Sequence, residues 1–144
     1  MNNAVVYDEL KSIYSDLSPE QAAALAEPIS ESITRIFAIC LVARKQGLLA
    51  LENCAEGEGN PFLKKLLYLI VDGTGAGLVE MIGTAEYFSK YMKESPLVRL
   101  TALIDLCGAL DIQAGENPHV IEVKLSSMAP KGIEDCLKGK TSVG

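Results

Sequence analysis

Four short stretches constrain this chain more than any other feature: "SPEQ" (18–21), "NPFL" (60–63), "SPLV" (95–98) and "NPHV" (117–120). Each places Ser or Asn directly before a proline. A Ser or Asn side chain accepts a hydrogen bond from an orphan N–H of a first helical turn. Proline suits the position that follows, because its missing N–H had no intrahelical partner there. In "SPEQ", Gln21 at the third helical position completes a capping box. Each stretch precedes a run with helical periodicity, so each marks the start of a helix.

The runs themselves agree. Val6, Leu10 and Ile13 share one face of a first short helix. Pro28 interrupts the next segment, since proline removes a backbone donor and disfavours helix at the residue before it. A long helix is then expected over 29–53, with Ile29, Ile33, Ile36, Phe37, Cys40, Leu41, Leu48 and Leu51 as its apolar positions. Gly47 would sit inside it at a cost of about 1 kcal/mol relative to alanine, implying a close backbone approach or a local bend. The polar "CAEGEGN" (54–60) ends this helix. Further helices are expected over 61–72, 78–92, 96–114 and 118–128, with a last short one after Pro130 through Ile133 and Leu137. In 78–92 the residues at helical spacing are Leu78, Met81, Ile82, Ala85, Phe88 and Met92. Only "HVIEVKL" (119–125) alternates like a strand, and the Asn117–Pro118 cap before it favours helix. The expected fold is all-α: a single-domain compact bundle of about six helices. The domain is placed at residues 1–138, with 139–144 a flexible tail and 1–35 a helical segment without a motif.

Bulk properties exclude several functions. The chain has 144 residues, 49% hydrophobic and 22% charged, enough for one domain with a sizeable core. Its net charge is −6. Nucleic-acid binding requires a basic stripe, and anionic membrane surfaces repel this balance. The longest unbroken apolar run, 36–43, is far shorter than the ~20 residues of a membrane span. The N-terminus lacks the basic and apolar regions of a signal peptide. Cys40, Cys54, Cys107 and Cys136 are scattered, without C-x-x-C or metal spacing, and are read as reduced thiols. A soluble, cytoplasmic protein is expected.

Little catalytic chemistry stands out. His119 is the only histidine, and no residue pattern nominates a partner for it. "DGTGAG" (72–77) lacks the preceding strand, the lysine and the spacing of a phosphate loop, and reads as a turn between helices. Asp111 and Glu116 are isolated acids. No catalytic, metal or cofactor site is expected, and no enzymatic activity.

The stretch "VARKQGLLALE" (42–52) is different, because it mixes a basic cluster, leucines and an acid. On one straight helix Arg44 and Glu52 would lie about 12 Å apart along the axis and about 80° apart around it. They could not pair with each other, but both could face solvent. Followed by "NPFLKKLLYLIVDGT" (60–74), this stretch resembles the cytoplasmic domain of the flagellar motor stator family (motility protein A, MotA-like), whose pattern is A-R-[RK]-x-G-L-L-A-L-E, then [DN]-P-F-[LI]. The later "LIDLCGALDIQAGENPHVIEVKLSSMAP" (103–130) resembles that family's tail. The two motifs occur in the family's order and cover about 43–73 and 103–130.

The resemblance implies a helical cytoplasmic domain with charges facing a rotor protein. Arg44 and Glu52 match the family's rotor-facing arginine and acid; with Lys45 they form the expected partner-binding set. His119 stands where the family has arginine. The family's two membrane helices before the first motif have no counterpart here, and only 74–102 separates the motifs. The expectation is therefore a MotA-like protein–protein interaction module without ion-channel activity. Its partner would be a flagellar rotor-like or regulatory protein, and homo-oligomers are a further expected assembly. The alternative is a small-molecule-binding protein or enzyme with an interhelical pocket.

Overall fold

A computed structural model describes residues 1–140, and among these it contains nine α-helices and no strand. The all-α expectation holds, with more helices than expected because two are five-residue pieces and one long helix is broken. The helices are α1 (Asn3–Ser15), α2 (Pro19–Ala23), α3 (Ala26–Gln46), α4 (Leu51–Gly57), α5 (Pro61–Val71), α6 (Ala76–Lys90), α7 (Pro96–Gln113), α8 (Pro118–Met128) and α9 (Ile133–Leu137). Most of the segment assigned to a tail, residues 141–144, lies outside the described residues. Lys140, within that segment and among the described residues, pairs with Glu27 at the start of α3.

All four cap signatures form. Ser18 Oγ accepts from Gln21 N–H and Gln21 Oε1 accepts from Ser18 N–H, closing the capping box. Asn60, Ser95 and Asn117 accept from N–H groups of the first turns of α5, α7 and α8. The "HVIEVKL" stretch is helical, as its cap requires. Pro28 does not break the chain here: α3 begins at Ala26, so the proline falls in a first turn where its missing N–H breaks no hydrogen bond.

Helix α7 is the hub. Its residues from Ala102 through Ala109 are all buried, and it packs against α1, α3, α5, α6 and α8. A helix buried on nearly every side must be enclosed by amphipathic neighbours. Helix α3 supplies the longest of these, burying Ile29, Ile33, Ile36 and Cys40. Its approach to α7 is close at Gly108, where a Cβ would lie 2.8 Å from Ile36 Cγ2. Ile36 is buried and β-branched, so it has little freedom to retreat.

Two polar clusters bind the sheath to the hub. In the first, Arg35 on α3 donates from Nη2 to both carboxylate oxygens of Asp105 on α7, each at 3.2 Å. Its Nη1 meets Glu58 Oε2 at 3.4 Å, and that oxygen also accepts from Asn60 N–H at the entry to α5. In the second, Tyr87 on α6 donates to Glu9 on α1 at 2.8 Å, and Arg99 on α7 reaches Glu9 and Ser12. Tyr14 on α1 donates to the Met128 carbonyl at the end of α8. The N-terminal helix, which carries no sequence motif, is thus fastened at several points to the same bundle.

Asp105 has no solvent exposure. Burial pushes its carboxyl up to about 7, against the downward pull of Arg35. The folded chain therefore holds a proton that the unfolded chain releases from about pH 4 upward. The resulting stabilisation is complete below about pH 4 and drains away as pH rises through about 7.

Two outcomes follow from this packing. Urea unfolding at about pH 5 and pH 7 should show the wild type losing on the order of 2 kcal/mol that Asp105→Asn does not lose; identical pH slopes would refute the role given to Asp105. Gly108→Ala should lower stability by about 1–3 kcal/mol through overpacking against Ile36, despite alanine's better helix propensity. A neutral or stabilising result in thermal or urea melts would mean that α3 and α7 separate freely.

Candidate interaction surface

The structure overturns the continuous helix over 29–53. Helix α3 ends at Gln46, and Gly47 takes φ 88° and ψ 167°. That conformation is open essentially to glycine alone, so Gly47 terminates the helix rather than weakening its middle. Its N–H donates to the Ala43 carbonyl at 2.8 Å, completing the last turn. A 3-10 turn over Leu48–Ala50 follows, and α4 begins at Leu51. The polar "CAEGEGN" is not a loop throughout, because α4 runs on to Gly57.

The break makes a corner of the stretch singled out in the sequence. Leu51 and Ala55 turn inward and are fully buried. Arg44 and Lys45 lie in the last turn of α3, and Glu52 in the first turn of α4; all three are exposed. Between them, Leu48 is partly exposed and Leu49 is 76% exposed at the tip. The charges suit their helix ends, with cations at the C-terminus of α3 and an anion at the N-terminus of α4.

The three charges are not equivalent. Arg44 Nη1 donates to the Gly115 carbonyl at 3.3 Å, joining the corner to the turn between α7 and α8. Cys40 Sγ, one helical turn earlier, reaches the Glu116 carbonyl at 3.7 Å. Arg44 thus has a structural role as well as an exposed head. Lys45 and Glu52 have no ion-pair partner within 4 Å among the described residues.

The remaining sequence candidates do not converge. His119 is exposed in the first turn of α8, its N–H on Asn117. It borders an open groove of about 940 Å³ between α8 and α9, with Glu122, Glu134 and Lys138 on the walls. No hydrogen bond joins these side chains to one another among the described residues. Cys40 and Cys107 are buried and Cys54 and Cys136 partly so, all as free thiols. Burial pushes the Cys107 thiol up to about 11 and raises that of Cys40, which disfavours the nucleophilic thiolate. The first four residues of "DGTGAG" form the turn between α5 and α6, with Gly73 at φ 82°, and Ala76 and Gly77 open α6.

The sequence reading missed the two buried polar clusters. Their signal was present: Arg35 and Asp105 are each a lone charge within an apolar helical run, "ITRIFAICL" and "LIDLCGAL". Lone opposite charges on two core helices imply that they meet. Comparison with family models, curated proteins and solved structures finds no match to this chain.

Gly47→Ala should cost about 1–3 kcal/mol, because no L-residue adopts its backbone comfortably although the space around it is empty. Gly57→Ala, also unobstructed but at the end of α4 with ordinary backbone angles, should be neutral or stabilising by up to about 1 kcal/mol. Chemical denaturation of the two variants checks the contrast; equal effects would refute the terminator role of Gly47.

Proposed function

We propose that this chain is a MotA-like protein–protein interaction module that engages a rotor-like or regulatory protein through the α3–α4 corner. The supporting observation is the corner itself: Lys45 and Glu52, unpaired within the described residues, flank the protruding Leu49. An apolar tip between opposite charges offers both contact area and orientation to a partner. Arg44 anchors the corner to the α7–α8 turn and so limits the ordering cost of binding. Among the described residues no helix is long and apolar enough to cross a membrane. In this reading the module conducts no ions and works through contact alone.

Exposed ion pairs contribute about 0.2–1 kcal/mol each, so the contact is weak and weakens further with salt. A purified rotor switch protein from a flagellar motor is the partner to titrate, by calorimetry or biolayer interferometry at low and high salt. The double reversal Lys45→Glu with Glu52→Lys should reduce affinity by about 3- to 30-fold at low salt. Binding that is unchanged by the reversal removes these residues from the account, and no binding of the wild type removes the rotor-like partner.

A further inference from the structure

One cation serves two carboxylates where α3, α7 and the α4–α5 link meet. Arg35 Nη2 holds both oxygens of Asp105 at 3.2 Å, and its Nη1 lies 3.4 Å from Glu58 Oε2. Asp105 has no exposed surface, and the Glu58 side chain is only 6% exposed. Among the described residues no second cation lies within 4 Å of either acid. With both acids ionised, the site would hold an uncompensated negative charge away from water, which is costly. One of the two must therefore keep a proton or leave.

The two acids are unequal. Asp105 lies inside the buried run Ala102–Ala109 of α7 and cannot retreat to water. Among the described residues it accepts from Arg35 alone. Glu58 Oε2 also accepts from the Asn60 N–H at 2.9 Å, which favours its ionised form. Glu58 directly follows α4 and stands between Gly57 and Gly59. Nothing lies within 4 Å of where a side chain on either glycine would sit, so the link has room to move. Asp105 is thus the acid that keeps the proton, and Glu58 the acid that can leave.

We propose that Glu58 is a proton-controlled latch, which fastens the α4–α5 link to Arg35 while Asp105 is protonated and swings into water when Asp105 ionises. In the closed state Arg35 and Glu58 balance each other beside a neutral Asp105. Once the Asp105 proton is lost to water, the guanidinium is balanced by Asp105 and Glu58 becomes the excess anion. Its departure frees the Asn60 N–H and loosens 58–60. The Asp105 carboxyl is pushed up to about 7 by burial, and in smaller part by Glu58, against the pull of Arg35, so the change falls near neutrality. Other charges on or against α7 are already paired: Glu9 of α1 with Arg99, Glu86 of α6 with Lys65 of α5 and with Lys90, and Lys124 of α8 with Asp111. Tyr91, just past α6, is raised by burial and then by Glu86 and Asp105, and Cys107 on α7 by burial, so both stay neutral near pH 7. The latch lies at the far end of α4 from Glu52 and operates without any partner at the corner.

NMR titration of the full chain from about pH 5 to about pH 8.5 tests the latch. An N–H bonded to a carboxylate resonates downfield, so the Asn60 amide proton should move upfield with the same midpoint as the Asp105 carboxyl carbon. Backbone order parameters over 58–60 should fall in step, from about 0.85 to below about 0.6. Asp105→Asn should abolish both changes, because the latch then stays closed throughout. Glu58→Gln removes the excess anion instead: its Asn60 amide should not titrate, and the Asp105 midpoint should move to lower pH. A wild type whose Asn60 amide stays constant across the range overturns the proposal. So does an Asn60 step that survives in either variant, or an Asp105 midpoint that Glu58→Gln leaves in place.

Discussion

The near-complete burial of α7 is the constraint on which the other helices depend. A helix with consecutive buried residues from Ala102 to Ala109 has no solvent face over that length. It cannot rest on a two-layer edge and must be enclosed. The surrounding helices accordingly bury one face each toward it. Asp105 adds a chemical demand, since an acid at the centre of this hub needs a compensating group. Arg35 provides it from α3, and its other terminal nitrogen reaches the Glu58 carboxyl. One buried carboxyl thus fixes the rotation of α3 about its axis and ties the entry of α5 to the same point.

The second cluster performs a similar task nearer the start of α7, at Arg99. Tyr87 is completely buried, and its hydroxyl needs an acceptor. Glu9 supplies one from α1, and Arg99 balances the charge. Burial and the adjacent Glu9 both raise the Tyr87 pKa, so the phenol stays protonated and remains a donor. The inward face of α6 is therefore set by a hydrogen bond as much as by apolar area. Gly83 lets α6 approach Leu106 of α7 so closely that a side chain there would collide with it. Together these two residues turn Leu78, Met81 and Phe88 outward.

This explains what the sequence disclosed and what it withheld. Helix starts were legible at Pro19, Pro61, Pro96 and Pro118 because capping is local chemistry, decided within three residues. The all-α class followed from those caps and from the spacing between them. The break at Gly47 was not legible, because a glycine in a helical pattern looks the same whether it weakens a turn or ends it. Only the backbone angle separates the two. The orientation of α6 was hidden for another reason: several of its larger apolar residues lie on the exposed face, whereas a valine, a glycine and a hydrogen-bonded tyrosine mark the core. At the corner, sequence indicated Arg44, Lys45 and Glu52 but placed them on one straight helix. Arg44's bond to Gly115 joins residues far apart in the chain, and no local pattern announces it.

The corner and the exposed row of α6 differ in the forces available to them. Along α6, Leu78, Met81 and Phe88 are apolar, with Glu80 and the Met1 ammonium paired beside them. At the corner, opposite charges surround a leucine, so attraction there falls as salt screens it. The two surfaces are independent, since α6 contacts α5 and α7 while the corner rests on the α7–α8 turn. A contact made through the charges of the corner is therefore recognised by its weakening with salt, whereas one made through apolar surface is strengthened by sulfate or phosphate.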